Sequence, residues 1–201
     1  MPAAGSSVFA RNVYFVKEHT GILKAANNYD VYDPEDLENP ILNVREEKLG
    51  LLTKLFRFSD YKRMTPFDIE VKDPKTGRSI LRVHRGIAIF LSKVVVEDED
   101  GILIGVFKQK LFSLGGAFRL LDAQEQEVGL LKGNWRGWEF TFTKGERQIG
   151  KVAKKWAGLA KELFTTADNY ALEMSPELKP DAVERKLMLA ACFCIDMVLK
   201  E

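Results

Sequence analysis

The sequence predicts a mainly β fold in which an antiparallel sheet curls into a closed barrel around one C-terminal helix. Three observations lead there. From Pro66 onward the chain repeats one unit: an extended apolar run, a turn rich in Asp, Gly or Glu, then a second run ending in basic residues. Three of the turns are followed by a shared phrase with a close-packed glycine: Ile104-Gly105-Val106-Phe107-Lys108, Val128-Gly129-Leu130-Leu131-Lys132 and Ile149-Gly150-Lys151-Val152-Ala153-Lys154. The stretch Val183–Leu199 is apolar around nearly its whole circumference, and such a helix must be buried on every side. A sheet closed on itself loses its edges, and a helix threaded through it covers both the helix and the inward strand faces.

Taken in chain order, 8–16, 22–26, 29–32 and 41–44 read as strands separated by Gly, Asn and Pro. In 46–63, Leu49, Leu52, Leu55 and Phe56 fall at helical spacing beside Lys54, Arg57, Lys62 and Arg63, which suits an amphipathic helix or an ordered loop. Phe67, Ile69 and Val71 alternate with Asp68, Glu70 and Lys72, and Trp138, Phe140 and Phe142 alternate with Glu139, Thr141 and Thr143. Alternation of this kind gives a strand one buried and one wet face. Turns are expected at 73–77, 98–101, 122–125 and 144–146, where Asp, Gly and Asp-like side chains stabilise corners. After Pro176 and Pro180, Asp181 and Glu184 form a capping-box-like start to the terminal helix.

Composition narrows the function. The 201 residues fit one domain, and 46% hydrophobic with 29% charged residues is ordinary globular composition. Thirty basic against 29 acidic side chains leave a net +1, so no global field recruits nucleic acid and attraction to anions must come from local clustering. Cys192 and Cys194, two apart in an apolar run, suit neither a disulfide nor a structural zinc site, which points to a cytoplasmic setting. The N-terminus lacks a basic region followed by a long apolar run, so no secretory signal is visible. The longest hydrophobic stretch, 187–199, is shorter than the ~20 residues of a membrane span and contains Asp196.

The C-terminal third carries more specific phrases: Gly150-Lys151-Val152-Ala153-Lys154-Lys155-Trp156-Ala157-Gly158, Phe164-Thr165-Thr166-Ala167-Asp168-Asn169-Tyr170, and Ala190-Ala191-Cys192-Phe193-Cys194-Ile195-Asp196. These resemble the phospholipid scramblase family and its relatives, the LURP-one-related proteins. The resemblance is densest from about residue 128 to 201, extends more loosely from Asn28-Tyr29-Asp30-Val31, and is weakest over residues 1–27. It implies a tubby-like fold of roughly twelve strands around a central helix at 181–200, with 1–201 as one domain. It also implies a role among proteins that range from lipid translocators to soluble regulators, and a shared fold does not transmit an activity. The family's acidic loop, proposed to bind calcium, maps onto Thr166, Asp168, Tyr170, Leu172 and Glu177. Asp168 and Glu177 are a remnant with too few carboxylates for a hard cation, so no metal site is expected. The cysteine clusters and proline-rich arm of the animal proteins have no counterpart here.

His19 and His84 are the only histidines, and no nucleophile-elbow, zincin or phosphate-loop pattern occurs, so neither catalysis nor a cofactor is expected. Arg82 and His84 share a strand face and read as an anion-contacting pair or, more simply, a solvated outer face. Phe193 and Cys194 read as core residues and Asp196 as a buried structural contact. The most informative feature is an asymmetry. If the tight, acidic turns lie at one end of the barrel, the other end collects Leu55-Phe56-Arg57-Phe58, Lys110-Leu111-Phe112, Trp135-Arg136-Gly137-Trp138 and 155–164. Phe56, Arg57, Phe112, Trp135, Arg136 and Trp138 are therefore the candidate lipid contacts, since Trp favours the headgroup level and Lys or Arg attracts anionic lipid. The same aromatics could instead fold over the barrel mouth as a plug. The expected partner is an anionic phospholipid or membrane surface met peripherally, with a soluble regulatory or ligand-binding module as the alternative; nucleic acid is not expected, and a protein partner is left open.

Overall fold

A computed structural model describes residues 8–19, 28–46, 65–87, 92–110, 117–134, 138–154 and 169–199. Twelve strands follow one another: β1 (Val13–Glu18), β2 (Tyr29–Asp33), β3 (Asp36–Arg45), β4 (Phe67–Lys72), β5 (Ser79–Arg85) and β6 (Lys93–Asp98), then β7 (Leu103–Gln109), β8 (Ala117–Asp122), β9 (Glu127–Asn134), β10 (Glu139–Lys144), β11 (Arg147–Ala153) and β12 (Asn169–Met174). The helix α1 (Val183–Leu199) ends the fold. Each strand pairs antiparallel with its neighbours in sequence, and β1 closes the barrel on β12 through pairs such as Phe15 with Ala171.

The repeated unit of the sequence is a repeated hairpin. Asp73, Asp98 and Asp122 each turn a carboxylate oxygen back onto backbone N–H groups of the following turn: Oδ1 of Asp98 accepts from Asp100 N at 3.0 Å and Ile102 N at 2.8 Å, and Oδ1 of Asp122 from Gln124 N and Gln126 N, both at 2.9 Å. These aspartates are turn-formers. Every hairpin closed by such a tight turn also carries a register shift near it, at Val31/Tyr32, Val71/Lys72, Val96/Glu97, Leu120/Leu121 and Phe142/Thr143. An extra residue bends and twists a strand, and a bulge repeated around a sheet is a device for closing it.

The core lies inside the barrel. From Leu187 to Ile195 every helix residue is buried, with Leu187, Met188, Leu189, Ala190, Cys192 and Phe193 fully so. Two of the phrase glycines set how closely the helix approaches. A Cβ on Gly105 would collide with the Leu121 carbonyl and sit 3.1 Å from Leu187, and one on Gly150 would sit 2.8 Å from both the Glu173 carbonyl and the Met188 sulfur. Gly129 has more room, its nearest neighbour being the Thr143 carbonyl at 3.3 Å.

Three expectations are corrected. The first strand begins at Val13 rather than residue 8, because 8–12 turn back over the barrel end: Tyr14 Oη donates to the Val8 carbonyl at 2.7 Å. Glu184 does not serve a capping box; its carboxylate meets Lys144 Nζ at 2.7 Å and ties the helix start to the β10–β11 turn. Finally, α1 is not apolar all round, since Arg185 is 2% exposed inside it. Its guanidinium donates to the carbonyls of Phe9 (3.2 Å), Arg11 (2.8 Å), Leu178 (2.8 Å) and Lys179 (3.0 Å) and to Asn12 Oδ1 (2.7 Å). The expected strand at 22–26 and all but Glu46 of the amphipathic segment lie outside the described residues.

Candidate functional site

Because neighbouring strands alternate in direction, the six connections from an odd strand to the next even one all leave and return at one end of the barrel. The tight turns occupy the other. The two ends differ in charge. The turns hold Asp33, Glu35 and Asp36 in one hairpin, Asp98, Glu99 and Asp100 in another, and Asp122 and Glu125 in a third, with no basic residue in any of the three. The opposite rim, made of strand ends, carries Lys17, Arg45, Arg85, Lys93, Lys108, Lys110 and Lys154 against Glu18, Asp30, Glu46, Asp68 and Glu139.

Some rim charges are committed to the fold. Asp30 bridges two elements, with Oδ1 on Arg45 Nη2 and Oδ2 on His19 Nε2, both at 2.6 Å, while Arg45 Nη1 donates to the Tyr29 carbonyl at 2.6 Å. Arg85, 3% exposed, donates to the Thr65 carbonyl (2.6 Å) and to Ser92 Oγ (3.1 Å), and its guanidinium lies 5.0 Å from the Phe67 ring centroid. Beside it Ile87 stands 74% exposed, an apolar side chain on the basic rim.

Trp138 is the one candidate contact among the described residues, and its setting is unusual. Its φ of 50° is a left-handed conformation that bulky L-residues avoid. That backbone turns the indole across the barrel mouth, where it meets Phe140 edge-on at 5.8 Å and Tyr170 at 5.7 Å. Tyr170 in turn packs on Tyr29, and Tyr29 on Phe193 of α1 at 5.8 Å, so rings run from the mouth to the central helix. Lys154 completes the group: its N–H donates to the Trp138 carbonyl at 3.3 Å, and its ammonium lies 4.3 Å from the indole centroid. The half-buried ring thus has a structural task at the mouth.

Phe56, Arg57, Phe112, Trp135, Arg136 and Asp168 lie outside the described residues. Glu177 belongs to the acidic end, where it pairs with Arg147. Tyr170 and Leu172, which the resemblance placed in a cation loop, are fully buried strand residues, so the length of β12 lies between its rim end at Asn169 and Glu177. Arg82 is held on the outer face by both oxygens of Asp68 (2.9 and 2.7 Å), and His84 lies 3.4 Å from Glu97 beside it. Burial pushes the thiols of Cys192 and Cys194 well above their ordinary range, which removes them as nucleophiles at neutral pH. Alongside them a cavity of about 10 Å³, lined by Val94, Phe107, Phe118 and Ile195 among others, has room for no more than about one water.

Sequence reasoning passed over Lys154, the Asp30 bridge and Arg185. Lys154 was visible as the end of the third phrase and Arg185, with Lys186, as a basic pair entering an apolar run; nothing local announced that Lys154 would meet Trp138 at the start of the neighbouring strand or Arg185 the carbonyls of Phe9 and Arg11.

The family model described as Scramblase matches residues 10–201. Among curated proteins the chain is 25% identical to human phospholipid scramblase 2 over 154 residues, covering 69% of this chain and 51% of the relative. It is 38% identical to human phospholipid scramblase 1 over 151 residues, 68% of this chain and 46% of the relative, and 25% identical to the mouse phospholipid scramblase 1 over 151 residues, 68% and 45%. The chain therefore spans about half the length of these relatives. No solved structure matches.

Proposed function

The chain belongs to the scramblase family, and from that premise we propose that it is a peripheral phospholipid-contacting barrel, presenting its basic, connection-bearing end to an anionic membrane surface. One observation carries the reading: the barrel is electrically polar although its net charge is only +1. Three purely acidic turns lie at one end, beside two turns that also carry Lys75, Arg78, Lys144 and Arg147, and the strand ends at the other are basic on balance; the connections there add Arg57, Lys62, Arg63, Arg136 and Lys155 with Trp135 and Trp156, against Glu47, Asp60, Glu162 and Asp168. An anionic bilayer attracts each nearby Lys or Arg by about 1 kcal/mol, and Trp rings favour the headgroup level. The acidic turns face away in that orientation. No helix among the described residues is long and apolar enough to cross a membrane. The relatives' names refer to phospholipid scrambling; for this chain, surface contact is the part the barrel's charge supports.

Vesicle sedimentation at two salt concentrations tests it. Attraction between separated charges is screened beyond about 8 Å at physiological ionic strength, whereas inserted rings resist salt. Arg57→Ala with Arg136→Ala should remove the salt-sensitive part of binding to anionic vesicles, and Trp135→Ala the salt-resistant part. Trp138→Ala differs, because its ring is packed on Tyr170 and Phe140, and it should lower stability as well as binding. A wild-type protein that ignores anionic vesicles at low salt sinks the proposal and leaves the soluble-module reading, in which the mouth aromatics are a plug.

A further inference from the structure

Three large apolar side chains stand exposed among the described residues, and they divide between the ends of the barrel. Ile102 (63%) and Leu103 (39%) belong to the β6–β7 hairpin, beside Asp98, Glu99 and Asp100. Ile87, 74% exposed, belongs to the basic rim, where the β5–β6 connection leaves Arg85 and returns to Lys93. A single exposed isoleucine is ordinary on a protein surface. Two features set Ile87 apart. The first is the sequence around it: the connection reads Gly86-Ile87-Ala88-Ile89-Phe90-Leu91, with no polar side chain, whereas connections are ordinarily polar and an apolar run in one is kept for a function. The second is the base on which it stands. The Arg85 guanidinium donates to Ser92 Oγ at 3.1 Å, bridging the two ends of the connection, and to the Thr65 carbonyl at 2.6 Å. Ser92 N donates to Gln109 Oε1 at 3.1 Å, and Gln109 N to the Ser92 carbonyl at 3.0 Å. Both feet of the connection are thereby tied to the barrel wall, with Arg85 and Ser92 buried. A Cβ on Gly86 would meet nothing within 4 Å, so the chain leaves that base into open space, and a side chain carried on a rigid base is ordered on binding at little cost.

We propose that Ile87 is a membrane anchor, an apolar side chain that enters an anionic bilayer below its headgroups when the basic rim docks. The inference rests on the membrane reading above and adds to it the residue that meets hydrocarbon. Charge selects the occupant. An anionic bilayer offers a negative layer over an apolar one, and this part of the rim offers the complement: basic strand ends, with Lys93 exposed at the start of β6, and an apolar residue in the connection that leaves the wall. Ile102 is nearly as exposed, but it sits among carboxylates that such a surface repels.

The experiment uses the full chain and vesicles of phosphatidylcholine with or without phosphatidylserine, read as the partition coefficient at low and high salt. Ile87→Ser should lower partition into the anionic vesicles about tenfold at both salt concentrations, since what is lost is apolar burial and not charge. Ile87→Leu should bind as wild type does, and Ile102→Ser at the acidic end should change nothing. An exposed side chain is not part of the core, so Ile87→Ser should melt at the wild-type temperature; a drop of several degrees would place the side chain in the packing and overturn the proposal. A second readout locates the residue in the bilayer. Both native cysteines are buried, so an environment-sensitive dye on the Ile87→Cys variant reports that position alone. Its emission should shift to the blue on anionic vesicles and be quenched by nitroxides carried on the acyl chains. If wild type binds, Ile87→Ser binds equally well and the dye keeps its emission in water, this proposal fails and the membrane reading stands. If wild type does not bind, both fail. If Ile87→Ser leaves partition unchanged but turns a self-associating wild type into a monomer, the residue is a contact between copies of this chain and the lipid assignment is overturned.

Discussion

Arg185 is a charge in a place built for hydrocarbon, two residues before a run of nine buried helix residues. It is tolerated because backbone carbonyls surround its planar fork, and those carbonyls come from chain segments outside the strands: 8–12 ahead of β1, and 175–179 between β12 and α1. A buried cation costs several kcal/mol to desolvate, and each carbonyl would be costly to leave unmet. The two penalties cancel only together. The same enclosure lifts the Tyr14 phenol to about 12, through burial, with Arg185 pulling the other way. Arg185→Ala should therefore cost about 3 to 5 kcal/mol, measured by urea denaturation, since it strands several acceptors at once. Arg185→Lys should recover little of this, because three donors on a point charge cannot reproduce a five-donor fork. A loss under about 1 kcal/mol for the alanine variant would mean that water replaces the guanidinium.

At the scale of the element, the hairpin repeat was legible because its causes are local. Asp at the end of an outgoing strand, a turn of polar residues and an alternating return strand all lie within a few positions of one another. The barrel's closure on β1 was not, because nothing near Phe15 and Val16 announces Ala171 and Tyr170 as their partners. The glycine phrases fall between these cases. Their recurrence was visible, but only the packed helix separates Gly105 and Gly150, which press against Leu187 and Met188, from Gly129, which faces the β10–β11 hairpin. The three substitutions should separate accordingly. Gly105→Ala meets a backbone carbonyl that cannot move without shifting β8, and it should cost about 3 kcal/mol or more. In Gly150→Ala one of the two crowding atoms is a flexible methionine, so the loss should be smaller, about 1 to 3 kcal/mol. Gly129→Ala, with its nearest atom at 3.3 Å, should be the mildest. Thermal and urea melts of the three variants side by side give the order, and a Gly129→Ala variant that proves the worst would contradict it.

The whole molecule depends on a match between strand number and helix width. Eight strands close a barrel whose interior side chains just meet, and twelve leave a lumen wider than side chains alone can fill. A helix with its side chains is about 10 to 12 Å across, the size of object such a lumen needs. The inward residues are cut for it: Val16, Val31, Leu42, Ile69, Val83, Phe142 and Leu172 are all fully buried in one continuous cluster with Leu187 to Ile195. This is also why the fold class could be read before the structure while the rim could not. A helix with no wet face demands an enclosure, whereas Lys154 and Trp138 meet only once both of the strands they border are in register.

If the helix is the core rather than an accessory, a chain that stops at Pro180 should have no native state. Its strands could still form hairpins, but the sheet could not shrink onto the empty lumen, because strand number and stagger together set the diameter. Each large helix side chain left out of the core, Leu187, Met188, Leu189, Phe193 and Ile195, forgoes about 1.5 to 3 kcal/mol of burial, together comparable to the ~5 to 15 kcal/mol by which a domain of this size is stable. The carbonyls of 8–12 and 175–179 would lose Arg185 at the same time. The truncated chain should show strand-like far-ultraviolet dichroism at most, no near-ultraviolet signal and no cooperative urea transition, and a peptide of residues 181–201 added in trans should restore some of that cooperativity. A soluble truncation that unfolds in a single sharp transition would place the core in the strands alone and make the helix a passenger.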